Sequence, residues 1–201
     1  MRSLDDEVPD VDLHASVDED AVEEWTAHGF AVHRRQNGYL LRTTTVGDVQ
    51  PPGGVELVTA DRVDADRLRE LDDELRQDVP GTDGWRWDAA GFREETYESP
   101  HFDPRVYVVA VDGDRYVGIA RVWLRPQRPT LGFIGVSRSH RRRGLATALL
   151  SRVFGELASR GVEEVTTEID ETNAASRGLL EGLGARRVGA TVELIKRRSS
   201  A

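Results

Sequence analysis

A mixed α/β domain is the fold class this sequence predicts, and three observations carry it. From residue 55 onward, short β-rich runs alternate with segments of helical period in one continuous order. Two adjacent β-rich runs, 106–111 (VYVVAV) and 116–124 (YVGIARVWL), flank Asp112-Gly113, a strong hairpin turn signal. The chain of 201 residues is 38% hydrophobic, enough to fill the core of one generous domain.

Each element follows in turn. Residues 55–59 form a short strand. Residues 65–75 place Leu68, Leu71 and Leu75 at helical spacing. Residues 79–100 are irregular, with Trp85, Trp87 and Phe92 among turn residues and room for one short helix. The hairpin follows and ends at the two prolines of 125–129, and 130–136 (TLGFIGV) is the next strand. Leu145, Leu149, Val153 and Leu157 recur every four residues, a helix with one buried face. Residues 162–169 are a strand, 173–183 a helix stopped by Gly184, and 188–195 a closing strand.

Upstream, residues 42–54 (RTTTVGDVQPPGG) lack periodicity and read as a linker. Setting Gly29-Phe30 against Gly184-Ala185 aligns residues 11–42, read as strand, helix, strand, strand, with the last quarter of the main domain. Leu13 then stands where Glu168 stands. Coincidence between two amphipathic segments is one reading and a partial second copy of the same fold is the other. Adopting the second divides the chain into a half-repeat with its linker (1–50) and a main domain (51–201). The half-repeat is then expected to be structural, packing on the main sheet or helping a homodimer form.

Composition narrows the function. There is no cysteine, which excludes disulfides, thiolate chemistry and cysteine-type zinc sites. No metal-ligand cluster is legible. The formal charge of −9 argues against a nucleic-acid partner and suits a cationic one. No apolar run approaches the ~20 residues of a membrane span, and the first residues are acidic, so the expectation is a cytoplasmic protein with no membrane partner. Lys196 is the only lysine among 27 basic residues.

The chemistry concentrates in residues 136–150, VSRSHRRRGLATALL. A strand ends, an arginine-rich loop turns, and a helix begins at a glycine. Unpaired N–H groups at a helix start carry partial positive charge and suit a phosphate. Gly144 leaves the backbone approachable, Ala146 keeps the next turn small, and Arg141, Arg142 and Arg143 add full charges. Neither G-x-x-x-x-G-K-[ST] nor a G-x-G-x-x-G after a strand is present.

Arg141-x-x-Gly144-x-Ala146, after a strand ending in Val136, resembles the Q/R-x-x-G-x-G/A signature of the GCN5-related N-acetyltransferases. Asn173-x-x-Ser176-x-x-Leu179-Leu180-Glu181-x-Leu183-Gly184 is similar to a second motif of that family, at the expected distance downstream. The resemblance covers residues 55–198. It implies the family's mixed, mostly antiparallel, twisted sheet flanked by helices, with acetyl-CoA as cosubstrate. It implies that the diphosphate sits on Arg141, Arg142, Arg143, Gly144, Leu145, Ala146 and Thr147. It places the pantetheine arm along Ile134, Gly135 and Val136, where their strand parts from the strand at 165–169, with Asn173 facing the arm. Arg138, Arg142 and Arg143 either touch phosphate or form a solvated rim, and His140 is expected at the surface.

The resemblance also implies two proton-transfer roles. The family's usual tyrosine acid falls on Leu180, which cannot donate a proton; solvent, Ser176, Tyr97 or Tyr107 could replace it. The common strand carboxylate is missing from 130–136. Glu168, five residues before Asn173, occupies an alternative base position, although Thr166, Glu168 and Asp170 also read as an ordinary polar strand face, with Asp170 as a strand-end cap. Trp85, Trp87 and Phe92 either border the acceptor pocket or complete the core. The expected function is direct acetyl transfer to a primary amine of a small molecule or a peptide N-terminus, since no cysteine could carry an acyl-enzyme. The alternative is a CoA-binding module with little or no catalysis, and a third reading takes RSHRRRG as a nucleic-acid or phosphopeptide patch.

Overall fold

The computed structural model describes residues 12–197. Val11 and Arg198, which bounded two of the expected segments, lie outside the described residues. The chain runs β1 (Leu13–Asp18), α1 (Val22–Ala27), β2 (Ala31–Arg42), β3 (Val55–Thr59), α2 (Ala65–Arg76), α3 (Ala89–Thr96), β4 (Tyr107–Asp112), β5 (Arg115–Trp123), β6 (Thr130–Val136), α4 (Leu145–Ser159), β7 (Glu164–Asp170), α5 (Ala174–Gly182) and β8 (Arg186–Lys196).

Local chemistry starts and stops these elements. The Asp64 carboxylate accepts the Arg67 N–H at the start of α2, and the Asp88 carboxylate that of Gly91 at the start of α3. Gly113 takes a positive φ in the β4–β5 turn, and Gly184 does so just beyond α5.

Among the described residues, eight strands make one sheet in the order β1-β8-β2-β7-β6-β5-β4-β3. Every neighbouring pair is antiparallel except β6 and β7. One face is covered by α4 and α5, with Leu145, Leu149, Phe154 and Leu180 against Val108, Val122, Val165 and Ile169. On the other, α2 and α3 bury Leu68, Leu71, Leu75 and Phe92 against Tyr107, Ile119 and Phe133.

Strand β2, from the amino-terminal segment, lies between β7 and β8. The alignment with the last quarter of the chain predicts two strands over this stretch, and the structure has one. With a partner on each side, the chain stays extended, and two register shifts next to β8 bend it without ending it. The units β1–α1–β2 and β7–α5–β8 are thus related by an approximate two-fold about the β2–β8 pair. Each first strand pairs with the other unit's second strand. Leu13 does not take the place of Glu168, as the alignment expected: Leu13 lies on the face of Val192 and Leu194, Glu168 on that of Thr191.

The stretch between β2 and β3 is packed rather than loose. The Thr43 N–H and hydroxyl donate to the carbonyls of Glu163 and Val162, at 2.9 and 2.7 Å. The Ser151 hydroxyl on α4 donates to Gly47 O and accepts from the Val49 N–H.

Candidate active site

Strands β6 and β7 pair only at Thr130 and Thr166 and then diverge. The Thr167 hydroxyl holds the fork by donating to Leu131 O at 2.8 Å. Beyond it opens a cleft of about 640 Å³, lined by Ile134, Gly135 and Val136 on one side and Asn173, Ser176 and Leu179 on the other. Its end is closed by Gly144, Leu145, Ala146 and Thr147 at the start of α4.

The loop from β6 to α4 is shaped by named bonds. The Ser137 N–H donates to Val117 O, a 3₁₀ turn spans Arg138–His140, and the Arg141 Nε donates back to Val136 O at 2.9 Å. Arg142 and Gly144 both have positive φ, 63° and 80°. A side chain at 144 would meet nothing within 4 Å, so glycine there serves the left-handed backbone and open access rather than relieving crowding. The first helical bond runs from the Ala148 N–H to Gly144 O, and none of the N–H groups from Arg142 to Thr147 reaches a backbone acceptor. Six successive amides are therefore without a backbone acceptor, five of their residues (all but Arg143) line the cleft, and the positive end of a 15-residue helix lies behind them.

The arginines divide. Arg138 and Arg141 both bind the Asp78 carboxylate in the loop after α2, with Arg138 Nη2 at 2.5 Å. These bonds hold the Asp78 carboxyl down at about 2. Arg138 is thus an anchor rather than part of a free rim. Arg142 and Arg143 are exposed and make no ion pair among the described residues. His140 departs from its expected surface place: it is 6% exposed, with Nε2 3.0 Å from Asp112 Oδ2 and Nδ1 2.9 Å from Ser139 Oγ. It ties the loop to the end of β4 and keeps the Asp112 carboxyl below its ordinary value.

Asn173 caps α5: its Oδ1 accepts the Ser176 N–H at 3.0 Å. Leu180 is 2% exposed in the core. Of the named replacement donors only Ser176 lines the cleft. Tyr97 and Tyr107 sit in the core beneath α2 and α3, where burial pushes both phenols up. Glu168 is exposed on the sheet face opposite α4, directly across from Gly38, and accepts the Thr191 hydroxyl at 3.2 Å. Asp170 caps the strand end through the Thr172 N–H and hydroxyl and pairs with Arg34 Nε at 2.7 Å; against the opposing effect of burial, these bonds lower its carboxyl. Arg34 also donates to Pro80 O, joining β2 to the loop after α2.

The same face holds charges the sequence reading missed. Asp72, fully buried, accepts from Arg76 Nε at 2.5 Å and Trp87 Nε1 at 3.0 Å, with Arg121 at 3.5 Å. Arg76 lies over the rings of Trp85, Trp87 and Phe133, and Arg121 over those of Tyr107 and Trp123. Phe92 and Trp87 complete this core, whereas Trp85 is 49% exposed. The available signals were Asp72 on the apolar face of α2 and Arg121 inside a β-rich run.

A family model described as "Acetyltransferase (GNAT) family" matches residues 67–185, more than half of the chain. The chain belongs to this family. L-2,4-diaminobutyric acid acetyltransferase of Methylotuvimicrobium alcaliphilum is 32% identical over 107 residues, 50% of this chain and 62% of that protein. Mycothiol acetyltransferase of Thermobispora bispora is 28% identical over 185 residues, 86% of this chain and 60% of that one. A solved GCN5-related N-acetyltransferase from Sphaerobacter thermophilus superposes with a TM-score of 0.76 at 23% identity, over 94% of this chain and 61% of that one. The chain spans about three fifths of the length of each. No helix among the described residues is long and apolar enough to cross a membrane.

Proposed function

We propose that this chain transfers the acetyl group of acetyl-CoA directly to a primary amine, on a small molecule or a peptide N-terminus. The observation that carries the reading is the run of unpaired amides at 142–147, closing a cleft between two splayed strands. The residues fit a diphosphate on a flexible arm. Amides and the exposed Arg142 and Arg143 supply donors for phosphate oxygens. The edge of β6 at Ile134, Gly135 and Val136, unpaired with β7, offers backbone groups to the amides of the arm, and Asn173 lines the opposite wall.

Bound acetyl-CoA supplies an activated thioester carbonyl. The chain's own residues do the rest. The cleft and the neighbouring sheet face hold both reactants together, which supplies rate through proximity. Glu168, with its carboxylate on that face beside Thr191, takes a proton from the acceptor ammonium through water. Ser176, which lines the cleft, is the hydroxyl assigned in this reading to return a proton to the departing sulfur. An acidic chain and the carboxylates of β7 favour a cationic acceptor, in keeping with a relative named for diaminobutyric acid. For location, the cytoplasm is the matching proposal.

One observation favours a second reading, a CoA-binding module with little catalysis: Leu180 is locked in the core where the family's acid is usual. A panel of primary amines, assayed for CoA release with wild type and Glu168→Gln, separates the two. Turnover that falls about 10²-fold or more in the variant supports the enzyme with Glu168 as base. Turnover unchanged across pH removes Glu168 from the mechanism, and acetyl-CoA binding without turnover on any amine supports the module.

A further inference from the structure

We infer that β1 is an interface strand on which a second copy of this chain docks, edge to edge and antiparallel, about a two-fold axis at Ser16. β1 is one edge of the sheet, paired with β8 along its whole length and without a bulge. Its sequence, LHASVD, contains neither proline nor lysine, residues that ordinarily blunt an edge. Leu13 is 42% exposed, and Ala15 and Val17, on the same face, are half-buried. The approximate two-fold of the sheet puts β1 where β7 stands in the other unit. There, β6 lies against the outer edge and α4 covers the core-side face. The fold therefore has a strand and a cover at the equivalent place, and β1 has neither among the described residues.

The edge itself selects the occupant. His14, Ser16 and Asp18 share one face, opposite Ile195, Glu193 and Thr191 of β8. Antiparallel pairing of two copies centred on Ser16 sets His14 of each against Asp18 of the other, and Ala15 against Val17 on the apolar face. Neither His14 nor Asp18 makes a hydrogen bond or ion pair through its side chain among the described residues, and Asp18 precedes a 3₁₀ turn without capping it. A donor and an acceptor four residues apart, both uncommitted, are complementary to themselves only through a two-fold axis. The inference is independent of whether the chain transfers acetyl groups.

Sedimentation velocity and light scattering over a wide concentration range test it on the full chain. Wild type is expected to reach twice the 22.4 kDa chain mass. His14→Asp and Asp18→His each put two like pairs across the axis and are expected to weaken the dimer roughly tenfold. Mixing the two single variants, or combining both changes in one chain, re-forms two opposite pairs and restores it. Both side chains are exposed, and a melting curve for each variant checks that folding is intact. A wild type that stays monomeric overturns the inference. So does a dimer indifferent to the single changes, or one whose loss is not repaired by the mixture.

Discussion

The units β1–α1–β2 and β7–α5–β8 have the same order of elements and exchange strands with each other, yet they are buried to very different degrees. In β7, Val165, Thr167 and Ile169 are each under 9% exposed, and α5 drives Leu180 to 2%. In β1, Leu13 is 42% exposed, and α1 buries no residue at all. Trp25, which the sequence alignment places at Leu180, packs edge-on against Phe30 and stays half-buried. The helix α1 has six residues where α5 has nine. What differs is the neighbour. The β7 unit has α4 and β6 beside it, and the fork with β6 is what makes a cleft. The β1 unit has no such neighbour among the described residues, so it has neither a core of its own nor a site. The cleft in this fold follows from what packs beside the strand–helix–strand unit, not from the unit.

The strongest way to break this comparison is to remove the amino-terminal unit. Deleting residues 1–50 takes β2 out from between β7 and β8, along with Tyr39, Leu40 and Leu41, all under 9% exposed. The expected outcome is loss of cooperative thermal unfolding, followed by circular dichroism. A fragment that melts like the whole chain would mean that β2 is an accessory.

Next in size is Gly144→Glu, which tests what the second unit gains from α4. A carboxylate at the helix start repels phosphate, and a non-glycine residue is strained at a φ of 80°. Acetyl-CoA affinity by calorimetry is expected to fall about 100-fold or more, with the melting temperature little changed. Retained affinity would move the diphosphate away from these amides.

Truncating the two matched residues sharpens the comparison directly. Leu180→Ala leaves a cavity in a packed core and is expected to cost about 2–5 kcal/mol in chemical denaturation. Trp25→Ala, although it removes more atoms, acts at a half-buried site and is expected to cost about 1 kcal/mol. Equal costs would mean that α1 is as well covered as α5.

The elements from β3 onward were legible because their signals were local. Leucine spacing marked α2 and α4, Asp112-Gly113 marked the hairpin, and the arginine–glycine run marked the start of α4. Partnership was not legible. Residues 31–42 read as two strands by alignment but form one, because β7 and β8 hold the chain from both sides. His140 reads as a loop residue, and only its approach to Asp112, 28 residues away, buries it. Asp72 and Arg121 are 49 residues apart and meet only when α2 lies across the sheet. Arg34 joins β2 to both Asp170 and Pro80, contacts that no spacing rule reports.

The smallest expected effect concerns how the cradle is held. Asp78 ties down Arg138 and Arg141, and its carboxyl is lowered from 3.8 to about 2 in the folded chain. Because the folded value lies below the unfolded one, the carboxylate form is favoured by folding. The contribution is complete above the unfolded value and fades as pH falls through the window from about 4 to 2. Asp78→Asn removes it at every pH. The stability gap between wild type and variant should be constant near neutrality, narrow below about pH 4 and close by about pH 2, measured by urea unfolding at each pH. Asp78 is near the surface, so the gap itself should be small, as for other exposed pairs. The effect on the site should be easier to see than the effect on stability: with Arg138 and Arg141 released, the loop from β6 to α4 loses its tie to the end of α2, and acetyl-CoA affinity should fall several-fold. A variant that keeps full affinity would show that the bonds of His140 to Asp112 and of Arg141 to Val136 O hold the amides in place without it.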